Sequence, residues 1–143
     1  MKIISTPIEL KEYLRNSNKT VGFVPTLGTL HEGHINLIKE ARQANELVVV
    51  SIFVNPTQFG QHEDLDRYPR DFERDELLAR ECGVDLIFSP ESESIYPTGY
   101  ATYVSVAGSL TESLEGASRP THFRGVATVA RNLVHTVMHH LGP

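Results

Sequence analysis

The segment VPTLGTLHEGH, Val24 to His34, sets Gly28, Gly33, His31 and His34 directly behind an apolar run and Pro25. Glycine lets a backbone approach a ligand closely. A helix that begins near Gly33 or His34 also turns free N–H groups and the positive end of its dipole toward an anion in the preceding turn. Histidines three apart lie on one face of a first helical turn, so both rings can donate to one phosphoryl group. Imidazole titrates near pH ~6.5, so a neighbouring polyphosphate raises its protonated fraction, and the cation then stabilises charge developing on a phosphate during displacement. A zinc site fits less well, because H-E-x-x-H sets its histidines four apart and HEGH sets them three apart. The structural alternative has one histidine capping the helix and the other facing water.

Three further stretches carry polar chemistry. In NPTQF, Asn55 and Gln58 bring side-chain amides that both donate and accept, although N-P also favours a plain turn. GQHEDLDRYPRD is polar and carries Gly60 and Tyr68, the pattern of a solvated connection. SRPTHFRG concentrates Arg119, His122 and Arg124 in an otherwise acidic chain, which suits an anionic or carboxylate partner as well as a solvated surface.

These residues need a frame to converge. Apolar, β-branched runs at Val21 to Val24, Leu47 to Val54 and Val84 to Phe88 are too short for helices and read as buried strands. Between them, Leu37, Ile38 and Ala41, and then Leu77, Leu78 and Cys82, recur at helical spacing. Alternating strands and helices with uninterrupted apolar strands predict a Rossmann-like α/β domain, a parallel sheet with helices on both faces. Tyr100 to Val106 alternates loosely and reads as one more strand. Val126, Val129, Ala130, Leu133, Val134, Val137 and Met138 form the stripe of a last helix. Ligands of such sheets bind at the carboxyl ends of the strands, where the first strand-to-helix turn usually holds phosphate.

The 143 residues suit one domain that buries roughly two-thirds of its unfolded surface. A formal charge of -5 gives no basic field for nucleic acid. Cys82 is the only cysteine, which excludes an intrachain disulfide framework and fits a reducing compartment. With neither a signal-peptide pattern nor an apolar run of membrane-spanning length, the expectation is a cytoplasmic protein without a membrane partner.

PTLGTLHEGH resembles the H-x-G-H signature of the nucleotidyltransferase superfamily, which also includes cytidylyltransferases. Together with SIFVNPTQF, DLDRYPR and LEGASRPTHFRGVATV, in that order, the chain resembles the pantoate–β-alanine ligase family from its first residues to about Val137. The resemblance implies an enzyme that activates pantoate with ATP, taken with Mg2+ as substrate, to pantoyl adenylate, which β-alanine then attacks to give pantothenate. It implies that Leu27, Gly28, Thr29, Leu30, His31, Glu32, Gly33 and His34 lie along ATP, with His34 as proton donor or charge stabiliser and His31 assisting. It further implies that Gln58, Pro25, Asn55, Tyr68, Arg119 and His122 bind or support pantoate and β-alanine. In that scheme Tyr68 lies on a flap, Glu115 is a salt partner of the basic cluster, no protein-held metal is needed and the N-terminal domain pairs as a homodimer. Relatives continue with a Gly-x-Lys-Asp strand, a Ser-rich loop ending in Arg and a lid domain, none of which is in these letters. Asn132 also stands where relatives commonly carry Lys. The expectation is therefore one ATP/pantoate-binding domain over residues 1–143, inactive or weakly active alone. The alternative is a non-catalytic pantoate- or nucleotide-binding and dimerisation domain.

Overall fold

The computed structural model describes residues 1–59, 71–111, 115–119 and 121–138. Strands β1 (Lys2–Ile4), β2 (Val21–Thr26), β3 (Leu47–Ile52) and β4 (Leu86–Phe88) form one sheet in the order β1-β4-β3-β2, with every pair parallel. Helices α1 (Pro7–Arg15), α2 (Glu32–Ala44) and α3 (Phe72–Glu81) make the crossovers; α4 (Ser92–Ile95), α5 (Glu115–Ser118) and the long α6 (His122–Met138) follow β4.

The path from β2 through β3 to β4 runs in one direction across the sheet, whereas the step from β1 to β2 runs the other way. Right-handed crossovers then put α2 and α3 on one face and α1 on the opposite face. Two separate cores result. Leu10 and Leu14 of α1 pack with Val129, Leu133 and Val137 of α6 on one side, and Ile38 of α2 packs with Ala79 of α3 on the other. The central strand β3 serves both: Leu47 and Val49 enter the first core, Val48, Val50 and Ile52 the second, and every residue of the strand is buried. That is why its sequence is apolar except for the buried Ser51. Each fully buried Leu or Ile contributes about 1.5–3 kcal/mol.

Five expectations change. The strand β1 and helix α1 are additional, and α1 carries a clear start signal: Thr6 Oγ1 accepts from the Glu9 N–H at 3.3 Å, with Pro7 in the first turn. Tyr100 to Val106 is not a strand. It lies along α6, where Thr128 Oγ1 takes the Val104 N–H at 3.0 Å and donates to the Val104 carbonyl at 3.4 Å, occupying the groups a sheet neighbour would use. Leu37 and Leu77 are each 57% exposed, because only the stripes through Ile38 and through Ala79 face the sheet. Val134 and Met138 of α6 are likewise exposed. The last helix begins at His122, a turn before its apolar stripe.

Candidate active site

Parallel strands end together, so the turns after β2, β3 and β4 meet at one edge of the sheet. The turn after β2 is tightly tied. Thr26 Oγ1 donates to the Ser51 carbonyl at 2.8 Å and accepts the Gly28 N–H at 3.1 Å. Gly28 (φ 86°) and Thr29 (φ 54°) both adopt the left-handed region. A Cβ on Gly28 would also stand 3.0 Å from Asp75 Oδ2, so glycine is required there for both conformation and space. The Asp75 carboxylate, reaching over from α3 at 1% exposure, accepts the N–H groups of Thr29 at 2.7 Å and Leu30 at 2.6 Å.

The helix α2 starts one residue beyond His31, whose Nδ1 accepts the Gly33 N–H at 3.1 Å. His31 is therefore the helix cap, and His34 does not face open water: the two rings lie 4.1 Å apart between centroids, tilted by 35°. Burial pushes the His34 imidazole below its ordinary 6.5; His31 pushes the same way, and Asp75 opposes both. Its Nδ1 is buried without a hydrogen-bond partner. His34 thus favours the neutral ring near pH 7.

The segment after β3 makes a 3-10 turn, Pro56–Gln58, seated on α6. Asn55 organises it. The Asn55 Oδ1 accepts from Thr57 N at 3.3 Å, Thr57 Oγ1 at 2.9 Å and the Tyr96 hydroxyl at 2.8 Å. Its Nδ2 donates to Gln58 Oε1 and to the Gly125 carbonyl, each at 3.1 Å. Burial pushes the Tyr96 hydroxyl above its usual value, so it remains a donor here. The Gln58 amide is thereby oriented, with its oxygen bound and its nitrogen unbonded among the described residues. From outside, Arg119 Nη2 donates to the Gln58 backbone carbonyl at 3.1 Å, and His122 Nδ1 lies 3.2 Å from the same oxygen.

A cleft of about 250 Å3 joins these parts, with Pro25, Leu27, His34 and Gln58 along one side and Val126 and Leu133 of α6 along the other. A second hollow of about 270 Å3 lies on the far side of Leu27, between Gly28, Phe72 and Asp75. Of the residues singled out in the sequence, Pro25, Leu27, Gln58 and His34 converge on the cleft. Leu30 does not: its side chain is fully buried in the core and its N–H is held by Asp75. Asn55 is fully buried with its amide used by the protein, so it positions Gln58 rather than offering itself to a ligand. Arg119 and His122 brace the Gln58 backbone. Glu32 is exposed at the start of α2. Tyr68 and the Glu115 side chain lie outside the described residues. Among the described residues, no group of three or more His, Cys, Asp or Glu could hold a metal ion, and no helix is long and apolar enough to cross a membrane.

Sequence reading passed over Asp75 and Gly125. Asp75 looked like one more charge in RDFERDELLAREC, yet it shares a one-turn register with Leu78, Ala79 and Cys82, and a carboxylate in an apolar stripe signals a buried acceptor. Gly125 interrupts the stripe of α6 because a Cβ there would meet the Thr57 carbonyl at 2.5 Å and Gln58 Cα at 2.7 Å.

A doubly covered parallel sheet that presents a glycine turn and a histidine pair at the carboxyl ends of its strands is an α/β domain of the nucleotidyltransferase type. The family model Pantoate-beta-alanine ligase matches residues 2–141, and the chain belongs to that family. It is 52% identical to the pantothenate synthetase of Acetivibrio thermocellus, over 98% of this chain and 50% of the relative, and 56% identical to that of Exiguobacterium sp., over 96% of this chain and 49% of the relative. The crystal structure of pantothenate synthetase from Thermus thermophilus matches at TM-score 0.89 and 54% identity, covering 96% of this chain and 49% of that one. A pantoate-beta-alanine ligase from Francisella tularensis, solved as a complex with beta-gamma ATP and beta-alanine, matches at TM-score 0.88 and 40% identity, covering 96% and 53%. The chain spans about half the length of the curated relatives it matches.

Proposed function

We propose that residues 1–143 form the ATP- and pantoate-binding domain of a ligase that condenses pantoate and β-alanine into pantothenate. In the first step a pantoate carboxylate oxygen attacks the α-phosphorus of MgATP and pyrophosphate leaves, giving pantoyl adenylate. In the second the β-alanine amine attacks the acyl carbon and AMP leaves. The observation that carries this reading is the placing of His34 and Gln58 on one small cleft with apolar walls, at the strand ends. Gln58 is pre-oriented by Asn55 to donate to pantoate, while the aliphatic walls from α6 suit the dimethyl carbon of that substrate. The neutral, half-buried His34 gains a proton beside polyphosphate and stabilises the charge that develops there. The single cysteine supports a cytoplasmic setting. The exposed Tyr103 and Val106 support a homodimer that covers the extended segment along α6.

Calorimetric titration of pantoate and of MgATP into the wild type, Gln58→Ala and His34→Ala tests the assignment. Gln58→Ala leaves a polar group of pantoate unpaired and should cost about 1–3 kcal/mol of pantoate binding. His34→Ala should weaken MgATP and leave pantoate nearly unchanged. Equal losses in the two variants, or pantoate binding untouched by Gln58→Ala, would overturn it.

A further inference from the structure

Two adjacent residues of α3 grip the backbone of the turn that precedes the histidines. Asp75 accepts the Leu30 N–H at 2.6 Å and the Thr29 N–H at 2.7 Å, while Arg74 Nη1 donates to the Leu30 carbonyl at 3.1 Å. The Arg74 guanidinium lies 3.9 Å from Asp75 Oδ1, at a largely exposed position. Thr26 ties Gly28 locally, and the Thr29 and Leu30 N–H groups are held from α3, at a sequence separation of 45 to 46 residues. We propose that Asp75 is the positioning residue of the histidine pair: its carboxylate clamps the Gly28 to Leu30 turn and thereby fixes where α2 begins and where His31 and His34 face the nucleotide. The proposal rests on the ligase reading for the identity of that nucleotide.

Thr29 and Leu30 donate to separate oxygens of Asp75, so a carboxylate suits both, whereas an amide would present one acceptor oxygen and one N–H donor. Burying that carboxylate still costs several kcal/mol before its hydrogen bonds repay it. A negative charge beneath an anion-binding turn even opposes binding, unless it serves something else. Its charge also acts on His34, where it partly counters the depressing effects of burial and of His31. The other groups around that ring are Glu32, exposed on α2, and Arg74 beyond Asp75; α6 contributes only Val126, Val129, Ala130 and Leu133 to the cleft wall. Asp75 therefore fixes the geometry of the pair and keeps His34 able to take a proton when polyphosphate arrives.

The test uses Asp75→Asn, which keeps the outline, removes the charge and replaces one of the two acceptor oxygens by a donor, with Asp75→Glu as a second variant that keeps charge and changes reach. Thermal unfolding reports folding, histidine ring NMR titration reports His34, and calorimetry reports MgATP and pantoate. In Asp75→Asn the His34 titration midpoint should fall, and MgATP affinity should drop by about tenfold or more. Pantoate affinity should stay within about twofold, since Gln58 is held from α6. Asp75→Glu should keep the His34 midpoint near that of the wild type while MgATP affinity still falls, and it carries the test alone if Asp75→Asn does not fold. A folded Asp75→Asn with unchanged His34 titration, or an Asp75→Glu that binds MgATP like the wild type, overturns the proposal. If the wild type binds no MgATP, the ligase reading falls, and the His34 titration by itself decides the role of Asp75.

Discussion

His34 makes the protein's pH response legible at the level of one ring. Its folded value lies below the ordinary 6.5, first through burial and then through His31, against the pull of Asp75. Folding therefore favours the neutral ring. The stabilisation is fully present above the unfolded value and is lost as pH falls through the lowered folded value. Denaturant unfolding between about pH 7.5 and about pH 5 should show stability declining in the wild type, with a shallower decline in His34→Asn. An identical slope in the two proteins counts against the half-buried neutral imidazole. Nucleotide binding should reverse the preference, so MgATP titrations in buffers of different ionisation heat should register proton uptake that disappears in His34→Asn.

Among the elements, the contact of α6 with the 3-10 turn Pro56–Gln58 decides the position of the Gln58 amide. Replacing Gly125 with Ala would ordinarily add about 1 kcal/mol of helix propensity. The new Cβ, however, meets backbone at 2.5 to 2.7 Å, the Thr57 carbonyl and the Gln58 N and Cα, and backbone cannot step aside as a side-chain tip can. Overpacking of that kind costs about 1–3 kcal/mol. The clash should win: Gly125→Ala is expected to lower the unfolding midpoint and to weaken pantoate more than MgATP. Unchanged stability together with unchanged pantoate affinity would show that α6 and the turn separate easily.

At the scale of the whole molecule, the chain spans about half of its curated relatives, and the phosphate-holding Lys and Ser/Arg loop of the family resemblance are not among its 143 residues. The 143-residue polypeptide supplied with MgATP, pantoate and β-alanine is expected to form no pantothenate above background while still binding pantoate. Turnover at a rate comparable to full-length relatives, abolished by His34→Ala, would show that these residues suffice. Light scattering at micromolar concentration should report a dimer, and Val106→Asp, on an exposed apolar position at 54%, should shift it toward monomer. A wild type that stays monomeric refutes the pairing proposed for the extended segment.

Local sequence determined whatever depended on local chemistry. The largely apolar run of β3, the glycines and histidines behind β2 and the stripe of α6 are each written within a dozen or so neighbouring residues, and they specified a parallel α/β sheet. The start signal of α1, Thr6, Pro7 and Glu9, was equally present, and β1 is only three residues long at the sheet edge. Tertiary structure alone decided which polar groups face a ligand and which are consumed by the fold. Asn55, Leu30 and Arg119 look as available as Gln58 in the sequence, but their partners, Gly125, Asp75 and the Gln58 carbonyl, lie 70, 45 and 61 residues away. Hydrogen bonds at such separations are set by how the sheet brings α3 and α6 to its edge, and no local pattern of side chains encodes that meeting.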